Sequence, residues 1–163
     1  MQRCLITLAA TLALLTALPA PAADSGPAPS PTPAAPKDPL AGARALIAAK
    51  RWPAALDELK KVNASGSADW NNLMGYALRK QATPDLDGSE RFYNEALRID
   101  PKHRGTLEYS GELYLMKGDL PKAEQRLATL EQVCGLSCEE YTDLKKAIAN
   151  FKAAGNKYVG STY

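Results

Sequence analysis

Between Leu40 and Phe151 apolar residues recur in steps of three and four, the period of one face of an α-helix, with polar residues filling the positions between. The pattern also repeats at long range. Ala55, Ser89 and Ala123 are 34 residues apart, and the same spacing relates Leu59, Tyr93 and Leu127; Val62, Ala96 and Leu130; and Ile99 and Val133. Within a unit the first three columns are four and then three residues apart, so a small, a large and a further apolar side chain share one helix face. A second helix precedes each of these. Gly75 and Gly111 are 36 apart, two extra residues falling in the loop from Ala82 to Gly88, and Leu78 and Tyr114 each follow three residues on. Glycine inside a helix costs about 1 kcal/mol against alanine, so its recurrence predicts a close approach between helices.

Downstream, Ser137 and Glu140 have the spacing of a capping box and predict a last helix beginning near Cys138, with Tyr141, Leu144 and Ile148 as its apolar stripe. Lys145 now occupies the close-approach position. A lysine keeps another helix backbone away, so the stack is expected to end here with a solvated outer face. Gly155 predicts a left-handed helix end, followed by a loose tail over 154–163.

Leu73-Met74-Gly75-Tyr76 with Tyr93, Ala96-Leu97 and Asp100-Pro101, then Gly111-Glu112-Leu113-Tyr114 with Gly118-Asp119, Ala123 and Leu127, resemble two successive tetratricopeptide repeats. A weaker unit, Ala43, Leu46, Trp52, Ala55 and Leu59, precedes them in the same register. Two positions depart from the pattern: Ser89 stands where alanine is usual, and Gly135 where Pro101 stood one repeat earlier. The chain is similar to short exported bacterial proteins of this family. The resemblance implies an all-α fold, a right-handed tetratricopeptide-type solenoid of about three helical hairpins (40–67, 68–103 and 104–137) with a C-terminal capping helix over 138–153. It also implies a concave surface, lined by the first helix of each pair, that binds a protein or peptide. The inner positions are then Arg44, Asn72, Tyr76, Arg79, Glu108 and Glu112, mixed in charge with one aromatic anchor, as a modest protein interface requires. The paired Lys and Asn with which the family clamps a C-terminal carboxylate are not matched.

The N-terminal segment reads as an address. A basic start at Met1 to Arg3 leads into 14 uncharged residues, Leu5 to Leu18, closed by Pro19 and Ala20-Pro21-Ala22. That is the layout of a secretory signal peptide over 1–22 with an A-x-A-like cleavage site, and the run falls short of the roughly 20 residues of a membrane span. Export is expected, which in a Gram-negative cell means the periplasm, with no membrane span once the signal is removed. A proline- and alanine-rich linker, 23–39, follows. From Asp24 to Pro39 it holds six prolines in 16 residues and reads as a semi-stiff spacer.

Composition narrows the chemistry. The chain has 163 residues, enough for one small domain, and its 20 Lys and Arg against 18 Asp and Glu give no basic field for nucleic acid. The one histidine, His103, reads as an exposed loop residue with no nucleophile placed against it. Glu139 and Glu140 read as helix-capping charge, Trp52 and Trp70 as packing, and no glycine-rich phosphate loop occurs. A non-enzymatic protein without a cofactor or metal is expected. Without the signal peptide two cysteines remain, Cys134 and Cys138, and an even count in an oxidising compartment favours a disulfide at the junction before the last helix. The alternative use of that pair is thiol redox or copper(I) handling, since a helix N-terminus lowers a thiol pKa and two sulfurs make a soft-metal clamp. The leading expectation is an adaptor that holds another exported or envelope protein.

Overall fold

The computed structural model describes residues 38–160; the expected signal peptide and nearly all of the proline-rich segment lie outside them. Among the described residues the chain is all-α, with no strand: α1 (Ala41–Ala48), α2 (Trp52–Val62), α3 (Ala68–Arg79), α4 (Leu86–Ile99), α5 (Arg104–Met116), α6 (Leu120–Cys134) and α7 (Glu139–Ala153). No described helix is long and apolar enough to cross a membrane. Every helix packs on its neighbour in sequence, and α1 on α3, α3 on α5 and α5 on α7 meet as well.

Side chains that satisfy the otherwise orphaned N–H groups set where helices begin. Ser67 Oγ accepts the Trp70 N–H at 3.3 Å, an Asp85 carboxylate oxygen the Gly88 N–H at 2.8 Å, and an Asp119 carboxylate oxygen the Lys122 N–H at 3.1 Å. His103 caps α5: its Nδ1 accepts the Thr106 N–H at 3.1 Å, and its Nε2 lies 2.9 Å from Asp69 of α3. It is therefore not the exposed loop residue that its sequence context implies. An Nδ1 that accepts places the proton on Nε2, where it is donated to Asp69. The expected Ser137–Glu140 capping box does not form in that register. α7 starts as anticipated, but its N-cap is Cys138, which makes no side-chain cap bond, and first-turn Glu139 and Glu140 supply the negative charge the helix dipole favours. At the far end Gly155 takes φ +69°, and the Asn156 N–H reaches the Phe151 carbonyl across the turn.

The column Ala55, Ser89 and Ala123 is fully buried, each at 0% exposure. The odd member is explained by a bond: Ser89 Oγ–H donates to the Gly75 carbonyl at 2.7 Å, tying α4 to α3 where alanine would only fill space. The two recurring glycines admit different neighbours. A Cβ on Gly75 would lie 2.7 Å from the Tyr93 ring of α4, whereas one on Gly111 would lie 2.5 Å from a Leu144 methyl of α7. Two apolar clusters result. Leu56, Leu59, Trp70, Leu73 and Met74 build one across α1 to α3, with Phe92 of α4 against it. Leu107, Tyr114, Leu130, Tyr141, Leu144, Ile148 and Phe151 build the other across α5 to α7, with Leu97 of α4 against it. A fully buried Leu or Phe is worth about 1.5–3 kcal/mol, so these clusters carry the stability of the domain.

Candidate functional site

Between the clusters, α3 and α5 set an aromatic and ionic seam. The Tyr76 and Tyr109 rings meet at 4.6 Å between centroids, and Trp52 at the start of α2 stands edge-on to Tyr76 at 5.8 Å. Under the two tyrosines lies the Arg79 guanidinium, 5.5 and 5.7 Å from their ring centres, with Nη1 2.5 Å from Glu112. Arg79 is 2% and Glu112 0% exposed. The Nε and Nη2 of Arg79 and the hydroxyl of Tyr93 find no hydrogen-bond partner among the described residues. Burial works against the charge on Arg79, and Tyr93 and Glu112 outweigh it, holding the pKa above the usual arginine value.

Above this seam opens a cleft of about 580 Å³. Ile47, Ala48 and Lys50 line it from the end of α1 and the turn beyond, Trp52 from α2, Tyr76, Arg79 and Lys80 from α3 and its C-cap, Met116 from α5, and Tyr158 and Gly160 from the segment past α7. Lys50 adopts φ +55°, a left-handed conformation costing a non-glycine residue about 1–2 kcal/mol. Burial, and then the charges of Arg79 and Lys50, hold the Lys80 ammonium below its usual pKa. Neither Lys50 nor Lys80 has a carboxylate within 4.0 Å among the described residues.

The six positions expected to face a partner separate on inspection. Tyr76, Arg79 and Glu112 come together, but only Tyr76 offers surface, because Arg79 and Glu112 neutralise each other inside. Asn72 is buried, its Oδ1 without a partner among the described residues. Arg44 is exposed and lies outside the cleft lining, paired to Asp38 at 3.3 Å and Asp69 at 3.0 Å. Glu108 belongs to a second, smaller pocket with Tyr109, Glu139, Glu140 and Asp143. Sequence reasoning missed Lys50, Trp52, Lys80, Tyr109, Met116 and Tyr158. Tyr109 carried a usable signal, since it lies three residues before Glu112 and so on the same stripe of α5. Trp70 is a packing residue as read, 6% exposed with its Nε1–H donated to the Leu59 carbonyl, whereas Trp52 also forms a wall of the cleft.

The acidic pocket makes a pH prediction. Desolvation first, then the charges of Glu112, Asp143 and Glu140, push the Glu108 carboxyl up from 4.5 to about 8, with Arg79 opposing. The folded state therefore binds this proton more tightly than the unfolded chain, and stability is lost as pH rises from about 4.5 towards 8. Glu108→Gln, which mimics the neutral form, is expected to flatten that decline and to be more stable than wild type by about 1.5 kcal/mol at alkaline pH. Urea midpoints across the range check this; identical pH slopes for the two proteins would refute it.

At the α6–α7 junction Cys134 and Cys138 are joined by a disulfide, their Cα atoms 5.9 Å apart. The Glu140 carboxylate lies with both sulfurs in a group whose ligand atoms are all within 4.8 Å of one another, and Arg104 Nε sits 3.4 Å from the same carboxylate. Compared with known proteins, the chain matches no family model and no curated sequence.

Proposed function

We propose that the protein is a non-enzymatic adaptor of the tetratricopeptide type, exported to the periplasm, which holds a partner protein or peptide on the face around the Tyr76 cleft. The observation that carries this reading is the cleft: Trp52 and Tyr76 converge on it with Lys50 and Lys80, and large aromatic side chains are among those that concentrate binding energy at protein interfaces. The hairpin-by-hairpin packing and the buried 34-residue column support the repeat architecture. Binding needs no covalent step. Rings held in contact by α2, α3 and α5 lose little freedom when a ligand arrives, which keeps the entropic cost of association low.

Crosslinking of the tagged full chain in cells tests the reading, with wild type compared against Tyr76→Ala/Lys80→Glu and Cys138→Ser. The charge reversal is placed at Lys80 because the Arg79 charge is internal. Wild type and Cys138→Ser are expected to hold the same discrete protein. Tyr76→Ala/Lys80→Glu, with its helical circular dichroism unchanged, should bind that purified protein more weakly by over about 1 kcal/mol. Equal affinity would overturn the surface assignment. A second reading, thiol exchange or copper(I) handling, rests on the Cys134–Cys138 pair at the start of α7. It is the one indicated if capture vanishes in Cys138→Ser and reductant releases what wild type holds.

A further inference from the structure

The cleft is already touched by the chain's own C-terminal segment. Past the end of α7, residues 157–160 carry no helix, and Tyr158 lines the cleft beside Tyr76 and Trp52. Tyr158 is half-buried while the next side chain, Val159, is 58% exposed. One residue turned in and its neighbour turned out is how an extended strand lies in a groove. The segment thus sets an aromatic ring into the wall of the cleft, with the α5–α7 cluster behind it.

It does not answer the charge of that seat. Lys50 and Lys80 line the cleft with no carboxylate in ion-pair range among the described residues; the charges of Arg79 and Lys50 act on Lys80 in one sense and buried Glu112, already paired to Arg79, in the other. The segment from Asn156 to Gly160 brings another cation, Lys157, and no acid. The backbone at Lys50 is held left-handed, where glycine is the ordinary choice, so a lysine stands at the cleft although the turn itself would be easier without one. An apolar, aromatic floor with basic sides is complementary to an aromatic side chain flanked by carboxylates.

Building on the adaptor reading, we propose that the cleft takes an extended partner segment in which an aromatic residue is flanked by Asp or Glu, and that Tyr158 holds the aromatic seat until such a segment displaces it. The ligand class and its intramolecular competitor follow from the same pair of facts. The partner supplies the ring that Tyr158 imitates and the negative charge that residues 156–160 lack.

Fluorescence anisotropy with labelled, end-blocked peptides tests this on the full chain: Asp-Asp-Tyr-Asp-Asp, the same with Ala for Tyr, and Lys-Lys-Tyr-Lys-Lys. The acidic tyrosine peptide is expected to bind at least about ten-fold more tightly than either other peptide. Tyr158→Ala should tighten it about three-fold or more by removing the competitor, and Lys50→Glu/Lys80→Glu should weaken it about ten-fold. Each variant is first checked for retained helical circular dichroism, and the charge pair does not touch the core, so a folding defect in Tyr158→Ala leaves the other arm decisive. Equal binding of the acidic and basic peptides, or an unchanged or weaker affinity in folded Tyr158→Ala, overturns the proposal. If the peptides fail while partner capture in cells still needs Tyr76, the ligand class is wrong and the adaptor reading stands. If no partner is captured either, both fall.

Discussion

Arg79→Ala is expected to destabilise the fold by about 3–5 kcal/mol. The guanidinium is 2% exposed and faces a Glu112 carboxylate at 0% exposure, so its removal takes an ion-pair partner from a group that cannot reach water. Coulomb attraction at this depth is strong, but both charges also had to leave solvent, and the two terms nearly cancel for the intact pair. The asymmetry is what makes the test sharp. Arg79→Met/Glu112→Leu, which replaces both charges with apolar groups of similar bulk, is expected to lie within about 1 kcal/mol of wild type. Denaturant midpoints of the wild type, Arg79→Met, Glu112→Leu and the double variant give the coupling energy directly. A single-variant cost below about 1 kcal/mol would show that water or a rearranged neighbour replaces the partner, and that the seam is not the tight contact described.

Gly75→Ala comes second, with an expected cost of about 2–3 kcal/mol although alanine is the better helix former by about 1 kcal/mol. The added methyl would lie 2.7 and 2.8 Å from two carbons of the Tyr93 ring and 3.1 Å from the Ser89 carbonyl oxygen. The ring is fully buried and cannot swing away, and the carbonyl is backbone, so α3 and α4 must separate. Separation also stretches the Ser89 Oγ–H bond to the Gly75 carbonyl. Gly105→Ala is the control. Nothing lies within 3.6 Å of its Cβ, and it should be neutral or stabilising by up to about 0.5 kcal/mol. If thermal melts rank the two substitutions equally, helix propensity rather than close approach decides at Gly75.

The helices were legible because burial selects side chains at helical spacing and because hairpin after hairpin solves the same packing problem. The columns through Ala55, Leu59 and Val62 identified the buried face of every second helix, and Ser67, Asp85 and Asp119 are ordinary caps. The candidate site was legible only in part. Periodicity says that Arg79 and Glu112 face the neighbouring helix, but whether they meet water or one another depends on how closely α3 and α5 approach, which the glycines suggest without measuring. His103 was misread because a cap and a loop residue look alike until the Thr106 N–H that it receives is placed in space. Tyr158 lay beyond pattern reading: an extended segment that packs against the α5–α7 cluster and walls a cleft has no period of its own.

The helix contacts reach no further than two elements along the chain. Such a topology closes only short loops, so folding belongs to the microsecond-to-millisecond range of helical proteins with local contacts and can spread from whichever hairpin forms first. One juxtaposition breaks the rule. The segment carrying Tyr158 lines the same cleft as the end of α1 and the start of α2, so completing that cleft brings together residues from almost the whole length of the domain. On entropic grounds that closure is the last event of folding and the first to be undone. The cleft is therefore incomplete in the nearly finished molecule, its last wall arriving only when the segment that bears Tyr158 settles.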